Sequence, residues 1–118
     1  MRLEEEVVKL AGERSQVNQR LAGKVAVVTG SSRGIGKAIA KALAAEGATL
    51  AVHYCRGREP ADEIAAEFKR NGTRVGVFQA DVSKPEECHK LLEQVSKQLG
   101  VVDILVNNAG IYRDKSLR

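Results

Sequence analysis

A chain of 118 residues provides one domain's worth of core. With 43% hydrophobic and 29% charged residues it is built like a globular domain, and no stretch approaches the roughly 18 consecutive apolar residues of a membrane span. The net charge of +4 is modest, and its lysines and arginines are scattered among only four aromatics (Tyr54, Phe68, Phe78, Tyr112), which argues against a nucleic-acid surface.

The N-terminus, Met1-Arg2-Leu3-Glu4-Glu5-Glu6, has no apolar core of a secretory signal and is too acidic for a transit peptide. A cytoplasmic location is expected, with organelle import left open. Cys55 and Cys88 are 33 residues apart and show no metal-type spacing, which suits a reducing compartment. In residues 1–22, Leu3, Val7, Leu10, Val17 and Leu21 keep a spacing near 3.5, broken by Arg14. This N-terminal extension reads as a frayed terminus or a short amphipathic helix, since isolated helices of this length are marginal.

From residue 24 two periods alternate. Lys24–Thr29 is a short β-branched run, as expected of a strand buried on both faces. A helical pattern over Gly34–Glu46 follows, with Ile35, Ile39 and Leu43 on one face and Gly47 as its stop. Ala48–Tyr54 is the second strand. The next helix is expected to start near Pro60, a residue suited to a first helical position, and to end at Asn71-Gly72. Thr73–Gln79 is the third strand. Ser83 and Glu86 form a capping-box pattern before a helix carrying Leu91, Leu92, Val95 and Leu99. Gly100 ends it, and Val101–Val106 is the fourth strand. Strands alternating with helices predict a parallel sheet with right-handed crossovers.

The segment Thr29-Gly30-Ser31-Ser32-Arg33-Gly34-Ile35-Gly36 joins the first strand to the first helix. A diphosphate needs close donors, and the first turn of a helix offers unpaired N–H groups at the positive end of its dipole. Glycine belongs where backbone must approach the phosphates. The spacing T-G-x-x-x-G-x-G differs from G-x-G-x-x-G, because Ser32 takes the place of the second glycine, and it is no P-loop. The same pattern also suits a strand–helix turn with no ligand.

Three motifs together resemble the short-chain dehydrogenase/reductase family over residues 24–118. They are the glycine motif Thr29–Gly36, Asp81-Val82 after the third strand, and Asn107-Asn108-Ala109-Gly110 after the fourth. The continuation Ile111-Tyr112-Arg113-Asp114 resembles the 3-oxoacyl-acyl-carrier-protein reductase branch. The resemblance implies a Rossmann-like, doubly wound parallel α/β sheet of order 3-2-1-4 over residues 23–118, truncated after its fourth strand. Its ligand would lie past the carboxyl ends of the strands, where the order reverses. It also implies that Gly30, Ser31, Ser32, Arg33, Gly34, Ile35 and Gly36 hold a dinucleotide, with Asp81 and Val82 at its adenine and Asn107, Ala109 and Gly110 lining the site. Asp81 also suits a turn before the Ser83 cap.

NAD users place an acid at the end of the second strand. Here that end reads His53-Tyr54-Cys55-Arg56-Gly57-Arg58, and the first acid is Glu59. Arg33, Arg56 and Arg58, beside Tyr54, are suited to a 2′-phosphate, so NADP(H) is expected as cofactor. Solvated loop charges are the other reading.

The family's catalytic serine and Tyr-x-x-x-Lys lie after the N-N-A-G signature, beyond Arg118. Tyr112 and Lys115 are three apart and fall in a loop, so neither they nor Ser116 is assigned a catalytic role, and no metal site is expected. The expected function is the cofactor-binding half of an NADP(H)-dependent carbonyl or 3-oxoacyl-thioester reductase, inactive alone. The alternative is a non-catalytic nucleotide-binding fragment that pairs with full-length relatives. A carbonyl substrate is expected only where the missing half completes the pocket. Neither a nucleic acid nor a membrane is expected as a partner, and an exposed fourth strand invites self-association.

Overall fold

The computed structural model describes residues 19–108. The expectations for residues 1–18 and for Ala109, Gly110, Tyr112, Lys115 and Ser116 lie outside them. The element order is β1 (Val25–Val28), α1 (Gly34–Ala45), β2 (Thr49–Tyr54), α2 (Arg58–Arg70), β3 (Val75–Gln79), α3 (Pro85–Gln98) and β4 (Val102–Val106). All strands pair in parallel, in the order β3-β2-β1-β4. The expected β-α-β-α-β-α-β alternation and strand order are therefore present.

The two-sided burial of the sheet follows from its sequence. β1 is Val-Ala-Val-Val and every residue of it is buried. Ala26 and Val28 face a layer with Leu50, Val52 and Tyr54 of β2, Ile39 and Ala40 of α1, and Ile64 and Phe68 of α2. Val25 and Val27 face the opposite layer with Ala51, Phe78, Leu91, Val95 and Leu99. Helices α1 and α2 thus cover one face and α3 the other. Right-handed crossovers force this: two steps run outward from β1 through β2 to β3, and the third returns across β1 to β4.

Several boundaries move from their expected places for physical reasons. Helix α2 starts at Arg58, so Pro60 sits third in the helix. Its missing N–H costs nothing there, because first-turn amides have no partner within a helix. β3 starts at Val75, and the preceding Arg74 turns its guanidinium to the carbonyls of Gln98 and Leu99, both at 3.0 Å, closing the end of α3.

The capping box at Ser83 and Glu86 does not form. Lys84 stands at the cap of α3 without a side-chain bond, and Ser83 Oγ instead donates to Asp81 Oδ1 at 2.6 Å. Asp81 N–H in turn donates to Glu87 Oε1 at 2.7 Å. The aspartate, two residues earlier, outcompetes serine by closing an Asx turn onto the Ser83 amide at 3.1 Å.

Pairing of β1 with β4 skips a residue: Val25 faces Val102, but Ala26 faces Ile104. The extra residue, Asp103, puts its carboxylate where a ladder carbonyl would be, and Oδ2 accepts from Val25 N–H at 2.9 Å. Ahead of β1, residues 19–24 form a turn held by Leu21 N–H to Glu46 O at 2.8 Å, and Leu21 packs on the core.

Candidate functional site at the carboxyl rim of the sheet

The carboxyl ends of β1 and β4 meet at the point where the strand order reverses. Thr29 N–H donates to Val106 O at 3.0 Å, and Asn108 Nδ2 donates to Gly30 O at 3.4 Å. Thr29 Oγ1 lies 3.3 Å from Val106 O and 3.4 Å from Asn107 Oδ1. The end of β4 is thereby tied to the turn that opens α1, and both asparagines belong to the tie.

Gly30 turns the chain with φ +66°, in the left-handed region that favours glycine. Gly36 is needed for closeness instead. A Cβ there would fall 2.2 Å from Gly30 O and 2.8 Å from Asn108 Nδ2. It keeps the first turn of α1 against the turn that follows β1.

The donors of this turn divide into two sets. Gly30 N–H donates to His53 Nδ1 at 2.8 Å, and Ser31 N–H donates to His53 O at 3.2 Å. Ser31 Oγ accepts from His53 N–H at 2.8 Å, and Ser31 is fully buried. These groups face inward and bind the turn to β2. The first amide bond of α1 runs from Lys37 to Arg33 O at 3.3 Å. The amides of Gly34, Ile35 and Gly36 precede it, with no acceptor within the helix. No side chain caps this end; Arg33, Gly34 and Ile35 are exposed, and Ser32 and Gly36 are buried. The amides left without a helical partner therefore belong to the helix start, at residues 34–36.

The basic residues gather on the same rim. A Cβ at Gly57 would lie 3.6 Å from Arg33 Nη2, so the Arg33 guanidinium reaches the β2–α2 loop that carries Arg56. Gln79 Nε2 holds that loop through Cys55 O at 3.1 Å. Arg58 is drawn away along α2, with its Nε 3.2 and 3.3 Å from the Asp62 carboxylate. Asp62, and then the Tyr54 hydroxyl, hold the Arg58 guanidinium above its ordinary pKa. Tyr54 has its ring in the core. Asp81 follows β3 at this rim as a turn former, and Val82 is half-buried against the α3 layer.

Sequence reasoning missed His53. It is 1% exposed in an otherwise apolar strand, and a buried polar residue is the informative case. Its Nδ1 accepts from Gly30, so its proton sits on Nε2, which donates to Ala80 O at 2.9 Å. Burial lowers its pKa below the ordinary 6.5, against a smaller opposing effect of the Ala80 bond.

Among the described residues no cluster of three His, Cys, Asp or Glu could hold a metal, and no helix is long and apolar enough to cross a membrane. An open cavity of about 580 Å³ lies at the other end of the sheet, lined by Lys41, Glu67, Phe68, Thr73 and Arg74 among others. It borders none of the expected site residues.

A parallel sheet with an uncapped helix start at its reversal point defines a dinucleotide-binding α/β fold. The family model of short chain dehydrogenases matches residues 24–118, and the chain belongs to this family. Versicolorin reductase 1 of Aspergillus parasiticus is 48% identical over 94 residues, which are 80% of this chain and 36% of that protein. The 3-oxoacyl-acyl-carrier-protein reductase FabG of Staphylococcus epidermidis is 45% identical over 94 residues, 80% of this chain and 38% of that protein. Among solved structures, a dehydrogenase/reductase from Sinorhizobium meliloti superposes with a TM-score of 0.74 at 41% identity, over 81% of this chain and 38% of the other. A short chain dehydrogenase from Burkholderia cenocepacia in complex with NADP gives a TM-score of 0.71 at 45% identity, over 75% and 36%. The chain thus spans well under half the length of these relatives.

Proposed function

We propose that this chain is the cofactor-binding part of an NADP(H)-dependent short-chain oxidoreductase of the carbonyl or 3-oxoacyl-thioester reductase type. One observation carries the choice of cofactor: the exposed, uncapped start of α1 shares a rim with Arg33 and the Arg56 loop, and no acid ends β2. The helix start suits the diphosphate, and the arginines suit a 2′-phosphate. The Burkholderia cenocepacia relative was solved with NADP, and a related blue fluorescent protein from a metagenomic library, 46% identical, with NADPH.

In this reading the bound nicotinamide supplies or takes the hydride. The residues described here bind and orient. Gly34, Ile35 and Gly36 present amides, Arg33 and Arg56 select the phosphorylated ribose, and Asn107 and Asn108 fix β4 against the cradle. Asp81 would meet the adenine amine. Cofactor binding is the role proposed for these residues, and no proton-transferring serine or tyrosine is assigned among them. Titration with NADPH and NADH, followed by an assay with an acetoacetyl thioester, tests this. Saturable binding with NADPH preferred supports it; equal affinity or no binding overturns the cofactor assignment.

A second reading rests on the edge of β4. Among the described residues its pairing partner is β1, and Val101 and Leu105 are exposed. Open strand edges pair with other chains. The chain would then associate with itself or with longer relatives, and sedimentation velocity over a concentration series reads this out.

A further inference from the structure

We infer that His53 is a positioning residue for the dinucleotide cradle: through a neutral imidazole and its own backbone it clamps the Gly30–Ser31 turn to the end of β3, and protonation of the ring releases that clamp. This rests on reading the turn as a phosphate cradle, but the clamp itself is a property of the apo chain.

The geometry is specific. Three strand ends meet in one side chain: Gly30 after β1 at 2.8 Å, His53 at the end of β2, and Ala80 after β3 at 2.9 Å. The backbone adds a reciprocal pair, Ser31 N–H to His53 O and His53 N–H to Ser31 Oγ. Every polar atom of His53 is thus committed, in a buried site where an unmatched group is costly. Gly30 is also the residue whose carbonyl contacts Gly36 and Asn108. A shift of Gly30 therefore moves the helix start and the β4 tie together.

Protonation breaks this arrangement at one atom. In the imidazolium Nδ1 carries a hydrogen, which then faces the Gly30 N–H, so two donors oppose each other and the turn must move. The ionisable groups on the surrounding segments are Arg33 in the turn, Tyr54 next in the strand, Asp81 after Ala80, and Glu87 and Cys88 on α3. Glu87 accepts from Asp81 N–H, Cys88 donates to Val82 O, Asp81 Oδ1 accepts from Ser83, Arg33 is exposed and Tyr54 packs in the core. Both ring nitrogens are held by backbone groups, Nδ1 by the Gly30 N–H and Nε2 by the Ala80 carbonyl.

Two substitutions separate the two ring nitrogens. In His53→Asn the amide oxygen falls near Nδ1 and still accepts from Gly30. In His53→Gln the amide reaches toward Ala80 and leaves Gly30 without its acceptor. The expected result for the chain titrated with NADPH is that wild-type Kd rises about tenfold for each pH unit below the imidazole titration. His53→Asn should lack that component, and His53→Gln should bind about tenfold more weakly at every pH. Comparing variants at equal pH cancels titration of the ligand's own phosphate. Identical pH profiles for wild type and His53→Asn overturn the inference.

A ligand-free measurement on the wild type keeps the test independent of variant folding and of the cofactor. Imidazole nitrogen shifts should show the Nε2–H tautomer, and the Gly30 amide signal should titrate with the ring and lose exchange protection. A Gly30 amide indifferent to that titration refutes the clamp. Absence of NADPH binding alongside a coupled Gly30 amide would instead refute the cofactor reading alone.

Discussion

Replacing Gly36 by alanine probes whether the cradle is packed backbone against backbone. The added Cβ would lie 2.2 Å from Gly30 O, 2.8 Å from Asn108 Nδ2 and 2.9 Å from the Gly30 carbonyl carbon. Ordinary contact begins at 3.4 Å, so α1 and the turn must separate by about 1 Å. Two effects oppose each other. Alanine gains about 0.8–1.0 kcal/mol of helix propensity over glycine. Overpacking costs about 1–3 kcal/mol, and here the obstacle is a carbonyl that cannot rotate away, which places the cost at the upper end. Stretching the Asn108–Gly30 bond adds about 1 kcal/mol. The balance is a destabilisation of about 2–3 kcal/mol, or a melting point roughly 10 °C lower in a domain of this size. Circular dichroism melts of the two chains measure it. A Gly36→Ala melt within about 2 °C of wild type would show that the helix start does not rest on the turn.

The Arg33→Ala, Arg56→Ala double variant should lose about tenfold or more of its preference for NADPH over NADH, the loss expected for charge-assisted contacts to one phosphate; an unchanged ratio of the two dissociation constants refutes the assignment. Asp103→Ala should cost about 1–2 kcal/mol by stranding the Val25 N–H, whereas Asp103→Asn keeps an acceptor and should cost less; equal urea midpoints for the two variants would contradict the bulge-filling role. Stability should also fall with acid through His53. Its folded-state pKa is lowered, so the unfolded chain binds the proton more readily, and the contribution is complete above about pH 6.5 and is lost as pH drops toward the folded value. Urea midpoints at neutral and mildly acid pH, compared between wild type and His53→Asn, isolate that share; an acid loss of the same size in both chains rules it out.

Periodicity made the layers legible. Buried β-branched runs and helical spacing in the sequence match the four strands and three helices of the described residues, and the glycine spacing marks the turn at the reversal point. What stayed hidden depends on contacts between distant segments. Ser83 loses its cap because Asp81 closes an Asx turn onto it, and the Glu87 carboxylate that takes the Asp81 amide comes from the following helix. The skipped residue at Asp103 is set by the fit of β4 against β1. The donors nearest the glycine turn in sequence face inward because a histidine from the next strand claims them. The one available signal was a histidine interrupting an apolar strand, which reads equally well as a strand end.

The tie between Gly30 and Asn108 joins segments 78 positions apart, with two complete helical crossovers and most of a third between them. Loop-closure entropy delays such a contact until the nearer pairings exist, and topologies rich in distant contacts fold slowly. Closing the crevice therefore carries a large loop-closure cost. Any anion that grips its completed form also reinforces the whole hydrogen-bonded framework, by about 2.7 kcal/mol at a hundredfold excess over the dissociation constant. Thermal shift on ligand addition thus reports at once on occupancy and on whether the fourth strand has docked.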